Sequence, residues 1–214
     1  MDILKELIQL DHTLFLQINS LHTGFFDSFM HTYSKVAVWI PFYISVAWII
    51  FRNYGRKGII MILFLIAGVV LADQISVLLK NYFERPRPSR HPLLEGLVHL
   101  VNGRKGSKFG FVSSHAANTM GFALLSSLFI RNKIYSYAVF TWALITCYSR
   151  IYLGMHFPAD IAGGAILGWI IAYSLFLLFQ KTNKSISLLP VKNALIPTIT
   201  VGISTLIIII FALF

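Results

Sequence analysis

Six stretches of about 20 mostly apolar residues govern what this chain can fold into, because a helix of that length crosses the hydrocarbon core of a bilayer. They run over 29–51, 58–79, 112–130, 134–153, 158–179 and 194–214. In lipid each backbone N–H and C=O must be satisfied inside its own segment or a closed barrel. Runs of this length therefore predict an all-α polytopic membrane protein with six transmembrane helices. Ahead of them, residues 1–28 carry Leu4, Leu7, Ile8, Leu14 and Ile18 at mostly helical spacing, alternating with Asp11, His12 and Gln17. This pattern predicts an N-terminal interfacial amphipathic helix, and it lacks the basic start and unbroken apolar centre of a signal peptide. No repeat or linker divides the chain, so 1–214 is expected to be a single membrane-embedded domain.

Eighteen Lys and Arg against eight Asp and Glu leave a net charge of +10. Such a balance fits nucleic acid or anionic lipid, and the apolar runs decide for lipid, so membrane lipids and no nucleic acid are the expected partners. The lone Cys147 excludes an intramolecular disulfide framework, a Cys-rich zinc site and an iron–sulfur cluster. Seven cations, Lys80, Arg85, Arg87, Arg90, Arg104, Lys105 and Lys108, crowd residues 80–111, where Pro86, Pro88 and Pro92 break any continuous helix. A basic loop of this kind between two spans is a solvated face, a headgroup anchor or an anion site.

Polar residues at the ends of other spans favour the anion site. Arg150 sits among Cys147, Tyr148, Ile151 and Leu153, where an unpaired guanidinium costs several kcal/mol and needs an anionic partner. His156 follows, then Pro158 at an expected first helical position and Asp160 in the first turn, within reach of the imidazole. His115 comes after Ser113 and Ser114, either of which caps the third span and leaves free N–H groups facing the loop.

Taken in order, Lys80 with Arg87-Pro88 after six intervening residues, then Ser113-Ser114-His115, then Ser149-Arg150, His156 and Asp160, resemble the three-part signature of the type 2 phosphatidic acid phosphatase superfamily. The resemblance covers 80–160. One part departs from the usual Pro-Ser-Gly-His, with Val112 in place of the Pro and Ser114 in place of the Gly, which puts the close backbone approach of a glycine in question.

The resemblance implies an integral membrane lipid phosphatase. Lys80, Arg87, Ser113, Ser114 and Arg150 would hold the phosphate. His156, oriented by Asp160, would attack phosphorus to give a phosphohistidine, and His115 would protonate the leaving oxygen and then activate water. Positioned cations stand where a metal would otherwise sit, so no metal and no other cofactor is expected. Substrates in the family include undecaprenyl diphosphate, phosphatidylglycerol phosphate, phosphatidic acid and lipid A phosphates, and nothing in the loop ranks them for this chain. A lipid phosphotransferase uses the same site. A vanadate-dependent haloperoxidase shares the signature but is soluble, and a non-enzymatic transporter leaves the two histidines unexplained.

Other polar residues carry blander readings. Asp73, two turns before Lys80, pairs with a cation or packs on polar neighbours, and Asn118 contacts a neighbouring helix. His12, His22, His31, His91 and His99 are expected at interfaces or in loops, and Gly163, Gly164 and Gly168 at a close helix crossing. If the loop cations belong to phosphate, the positive-inside rule puts Arg52, Arg56, Lys57, Arg131, Lys133, Lys181, Lys184 and Lys192 in the cytoplasm. The site then faces the periplasmic, extracytoplasmic side of what is expected to be a bacterial inner membrane.

Overall fold

The computed structural model describes residues 2–214 and is all-helical, with no β-strand among the described residues. Helices α1 (Asp2–Asn19) and α2 (Gly24–Tyr33) precede α3 (Ile40–Tyr54), α4 (Arg56–Phe83), α5 (Ser114–Ile130), α6 (Lys133–Tyr152), α7 (Pro158–Thr182) and α8 (Leu195–Leu213). Four helical stretches are long and apolar enough to cross a membrane: Val36–Tyr54, Arg56–Phe83, Pro158–Thr182 and Leu195–Leu213. Helices α5 and α6 fill the other two expected positions and are less uniformly apolar. The reason for α5 is its place in the bundle: it packs against α4, α6 and α7, and ten of its 17 residues are buried. A helix surrounded by protein can carry Thr119 and Ser126, whose hydroxyls bond back to the His115 and Ala123 carbonyls.

The amino-terminal third differs from expectation. The run over 29–51 is not one helix: α2 stops at Tyr33, the Ser34 hydroxyl donates to the His31 carbonyl at 3.0 Å, and the chain restarts in a 3-10 turn, Val36–Trp39. Trp39 Nε1 donates to the Tyr33 carbonyl at 2.7 Å, and Pro41 opens α3, so the break is pinned from both sides. The 1–28 segment is likewise two elements, because Thr23 accepts from the Phe26 N–H and caps a new helix at Gly24. Edge-to-face and tilted contacts of Trp39 and Phe42 with Trp142, at 5.7 and 5.2 Å between centroids, hold this region onto α6.

Helices α5 and α7 cross without intervening side chains. A Cβ on Gly164 would meet the Ser113 carbonyl oxygen, one on Gly168 the Ala117 carbonyl oxygen, and one on Gly121 the Gly168 backbone. The antiparallel order of α4 to α7 then brings the carboxyl ends of α4 and α6 beside the amino ends of α5 and α7. Beneath α1 lies a smaller apolar cluster of Phe15, Leu94, Ile151 and Phe157, which seats that helix on the 84–113 loop and the α6–α7 turn.

Gly168→Val should push α5 off α7 and destabilise the fold by about 1–3 kcal/mol or more, as overpacking does. Thermal unfolding in detergent reads this as a lowered Tm. Gly202→Val in α8, where an added Cβ meets nothing within 4 Å, should leave Tm in place.

Candidate active site

The candidate site residues Lys80, Arg87, Ser113, Ser114, His115, Arg150, His156 and Asp160 all lie at the same end of the bundle. Helix α4 ends just past Lys80, at Glu84 in the left-handed region, and the following Arg85-Pro86 turns the chain out. The loop then returns on itself: Gly110 N–H donates to the Arg85 carbonyl at 2.8 Å, and Pro86 faces Phe109 in a single antiparallel bridge. This return brings Arg87 back over the α6–α7 turn. Ser113 caps α5 by accepting from the Ala116 N–H, so His115 stands in the first turn with the free N–H groups around it.

Asp160 is fully buried and shared by three donors. Its Oδ1 accepts from Arg85 Nη1 at 2.9 Å, and its Oδ2 from the Phe157 N–H at 3.1 Å and from His156 Nδ1 at 3.3 Å. The other ring nitrogen of His156 lies 3.2 Å from Arg87 Nη1. A guanidinium only donates, so Nε2 must accept and Nδ1 must carry the proton. That tautomer leaves a lone pair on Nε2. Burial, with Arg87, Arg150 and Lys80 adding to it, holds His156 well below the usual imidazole range, so the ring is neutral.

Arg87 is 7% exposed and commits four of its five donors: Nε to the Phe109 carbonyl, Nη1 to the Met155 carbonyl and His156, and Nη2 to the Ser107 hydroxyl. Lys80 Nζ donates to the Ser114 hydroxyl, and Ser114 lies 2.6 Å from Ser76 Oγ. Ser114, where the family usually has glycine, therefore joins α5 to α4 and to a cation. Arg150 differs from both. Its Nε is buried with no hydrogen-bond partner among the described residues, so the anionic partner expected for it from the sequence is not supplied by a side chain.

A cavity of about 800 Å3 opens onto Lys80, Arg87, Ser107, Ser114 and His115, and a second of about 420 Å3 reaches His115 and Arg150 from the other side. A further cavity, about 1090 Å3, lies at the opposite end beside Arg131 and Lys184 and is lined by no histidine or carboxylate.

Sequence reasoning missed the groups that brace this arrangement. Arg85, read only as one of seven loop cations, stacks over the Phe157 ring at 4.5 Å and joins Asp160 to Asp11 of α1, its Nη2 lying 2.6 Å from Asp11 Oδ2. Asp11, read as part of a polar helix face, also accepts from the Ala159 N–H at 2.8 Å. Loop glycines allow the close fit: a Cβ on Gly110 would come 2.7 Å from Asp160 Oδ2, and one on Gly106 2.9 Å from Arg87 Nη1. The signal for these was present in the glycines of a basic loop, but no local pattern ties them to a carboxylate 50 positions on. Nor do all the blander histidines lie loose, since His99 Nε2 meets both oxygens of Asp27 and stacks on His22 at 3.7 Å.

A family model described as the PAP2 superfamily matches residues 58–184. The chain belongs to this superfamily. Among its relatives, a lipid A 4'-phosphatase of Bacteroides thetaiotaomicron is 37% identical over 170 residues, spanning 76% of this chain and 73% of that protein. A lipid A 4'-phosphatase of Porphyromonas gingivalis is 32% identical over 177 residues, with 81% and 74% covered. The crystal structure of Aquifex aeolicus LpxE superposes with a TM-score of 0.61 at 28% identity, over 77% of this chain and 93% of that one. With its apolar helices, this PAP2 protein is an integral membrane protein.

Gly110→Ala should displace the Asp160 carboxylate and with it His156, lowering kcat by about tenfold to a hundredfold, the usual cost of misplacing a reacting group by an ångström. Steady-state turnover alongside thermal unfolding checks this, with Tm expected to change little because the loop backbone there is not in the helical core.

Proposed function

We propose that this chain is a metal-independent phosphatase of membrane lipids, with one catalytic domain over 1–214 and six membrane crossings, α5 and α6 included. The observation that carries the reading is the orphaned Arg150 Nε. It lies beside a site where Lys80 and Arg87 also converge and where the available carboxylate, Asp160, is already committed to Arg85 and His156. Three cations with no ion pair of their own among the described residues call for a polyanion, and a phosphate supplies the oxygens to meet them.

His156 Nε2 has the lone pair for in-line attack. As the N–P bond forms, the P–O bond to the lipid breaks, and the departing oxygen takes a proton from His115, leaving the dephosphorylated lipid and a phosphohistidine. His115, now neutral, removes a proton from water; the hydroxide attacks phosphorus, the N–P bond breaks, and inorganic phosphate leaves. Arg87 Nη1 covers Nε2, so the incoming phosphoryl group must draw that donor onto its own oxygen before attack. Lys80, Arg150, Ser113 and Ser114 complete the cradle.

Among the family's substrates, the two named lipid A 4'-phosphatases favour a lipid A type of phosphate monoester over a prenyl diphosphate or a glycerophospholipid. A bilayer-boundary site in a bacterial inner membrane fits this, with water and headgroup on the extracytoplasmic side and acyl chains in hydrocarbon. The direct test is inorganic phosphate release by the purified protein from a panel holding lipid A, undecaprenyl diphosphate, phosphatidylglycerol phosphate and phosphatidic acid. Turnover on at least one, with vanadate inhibiting and EDTA without effect, supports the reading; activity that is lost in EDTA and returns with a divalent metal defeats it.

His156→Ala should abolish turnover of every substrate. His115→Ala should slow lipid phosphates by roughly a hundredfold or more, as loss of a general acid does, yet slow phosphoryl transfer from an activated aryl phosphate much less. Equal losses in that step for both leaving groups would remove His115 from the acid's role.

Sidedness is checked in intact cells carrying Cys147→Ser with a single cysteine at exposed Lys105 or at exposed Lys184, the latter at the opposite end. A membrane-impermeant thiol reagent should label position 105 and spare 184. The reverse labelling would put the chemistry in the cytoplasm.

A further inference from the structure

The 800 Å3 cavity that opens onto Lys80 and His115 runs down between α3, α4 and α5, and most of its wall is aliphatic or aromatic, with Ile44, Val46, Leu65, Val69 and Phe122 among the lining residues. It is therefore the space into which a lipid phosphate bound at the cations would lay its first chain. Two groups are out of place in such a wall. Asp73 of α4 faces the cavity, and its carboxylate forms no hydrogen bond or ion pair among the described residues; only its backbone carbonyl is used, by Ser76 Oγ. Asn118 of α5 faces the same cavity, and its Oδ1 is buried with no partner. When a chain fills the groove and expels water, the unpaired Asp73 carboxylate loses its solvation, while Asn118 Oδ1, already buried, stays without a partner unless the chain brings one.

Both orphans are acceptors. A saturated hydrocarbon chain leaves them unsatisfied, whereas a chain bearing a donor satisfies them. Their depth is set by the helix: Asp73 precedes Lys80 by seven residues, about 10 Å along the axis at 1.5 Å per residue. That is the reach from a phosphate to the first few carbons of an attached acyl chain.

We propose that Asp73 and Asn118 form an acceptor pair that selects lipid phosphates carrying a hydroxyl or amide N–H near the root of the acyl chain. The proposal rests on the lipid phosphatase reading and narrows its substrate class. Neither residue takes part in the phosphoryl transfer itself; both touch the substrate's chain, and their effect falls on the ratio between substrates.

The test uses the full-length protein and two synthetic phosphatidic acids that differ only in their chains, dimyristoyl against di(3-hydroxymyristoyl), with inorganic phosphate release as the readout. The wild-type protein should turn over the hydroxylated lipid with a kcat/KM tenfold or more above the plain one, since a site built to bond a hydroxyl discriminates against the analogue lacking it. Asp73→Leu and Asn118→Leu should each bring that ratio toward one, partly by speeding the plain lipid, whose chain no longer strips water from an acceptor. A wild-type ratio near one overturns the proposal. So does a ratio that stays high while both lipids slow equally in the variants, the result if Asp73 serves only as a counter-charge to Lys80. Should Asp73→Leu not fold, Asn118→Leu alone decides. Release from the wider panel but from neither phosphatidic acid overturns this proposal alone; absence of release from every lipid defeats the phosphatase reading, and this proposal with it.

Discussion

Three donors share the two oxygens of Asp160, and the rest of the site depends on how they are divided. If Asp160 answered Arg150 or Lys80 directly, the carboxylate would neutralise the cations meant for substrate, and His156 would lose the acceptor that fixes its tautomer. Arg85 prevents this by occupying Oδ1 and leaving Oδ2 for His156 and the Phe157 N–H. The carboxylate is thereby satisfied from behind, and the remaining positive charge faces the cavity. A buried ion pair of this kind is a poor source of net stability, because desolvation offsets much of the Coulomb attraction. Its use here is geometric.

Helix ends supply the second ingredient. The α5 and α7 amino termini both point at the site, one through Ser113 and His115 and the other through Pro158 and Asp160, and the positive ends of their dipoles favour negative charge there. The Asp160 carbonyl also accepts from the Ser113 N–H at 3.0 Å, so the two ends are fastened to each other. Small residues at the α5–α7 crossing make that proximity attainable. With an ordinary side chain at Gly164 the two termini would stand too far apart for either to reach the phosphate that the other binds.

The residues proposed to hold phosphate were legible in the sequence because each lies beside a helix end that the sequence itself marks, by proline, by serine caps or by the switch from apolar to basic. The wall around them was not. Asp11 is separated from its partner Arg85 by 74 positions, and an acidic residue on an amphipathic helix reads the same whether it meets water or a buried guanidinium. Helix breaks inside apolar runs were equally hidden, since Ser34 is compatible with a continuing helix and only the Trp39 bond to the Tyr33 carbonyl shows why it stops. Periodicity also does not distinguish a helix facing lipid from one facing protein, which is why α5 and α6 looked like ordinary spans.

The docking of α1 has a consequence for biosynthesis. Asp11 grips the Ala159 N–H across 148 positions of chain, and Asn19 likewise accepts from the His99 N–H and donates to the Tyr152 carbonyl. Helix α1 thus gains these partners only once the chain has been made as far as the start of α7. Until then a growing chain holds its Arg85 without the Asp160 carboxylate, and the candidate site stays unassembled. A bulky fusion placed ahead of α1 would therefore act on contacts made far along the sequence, at the start of α7.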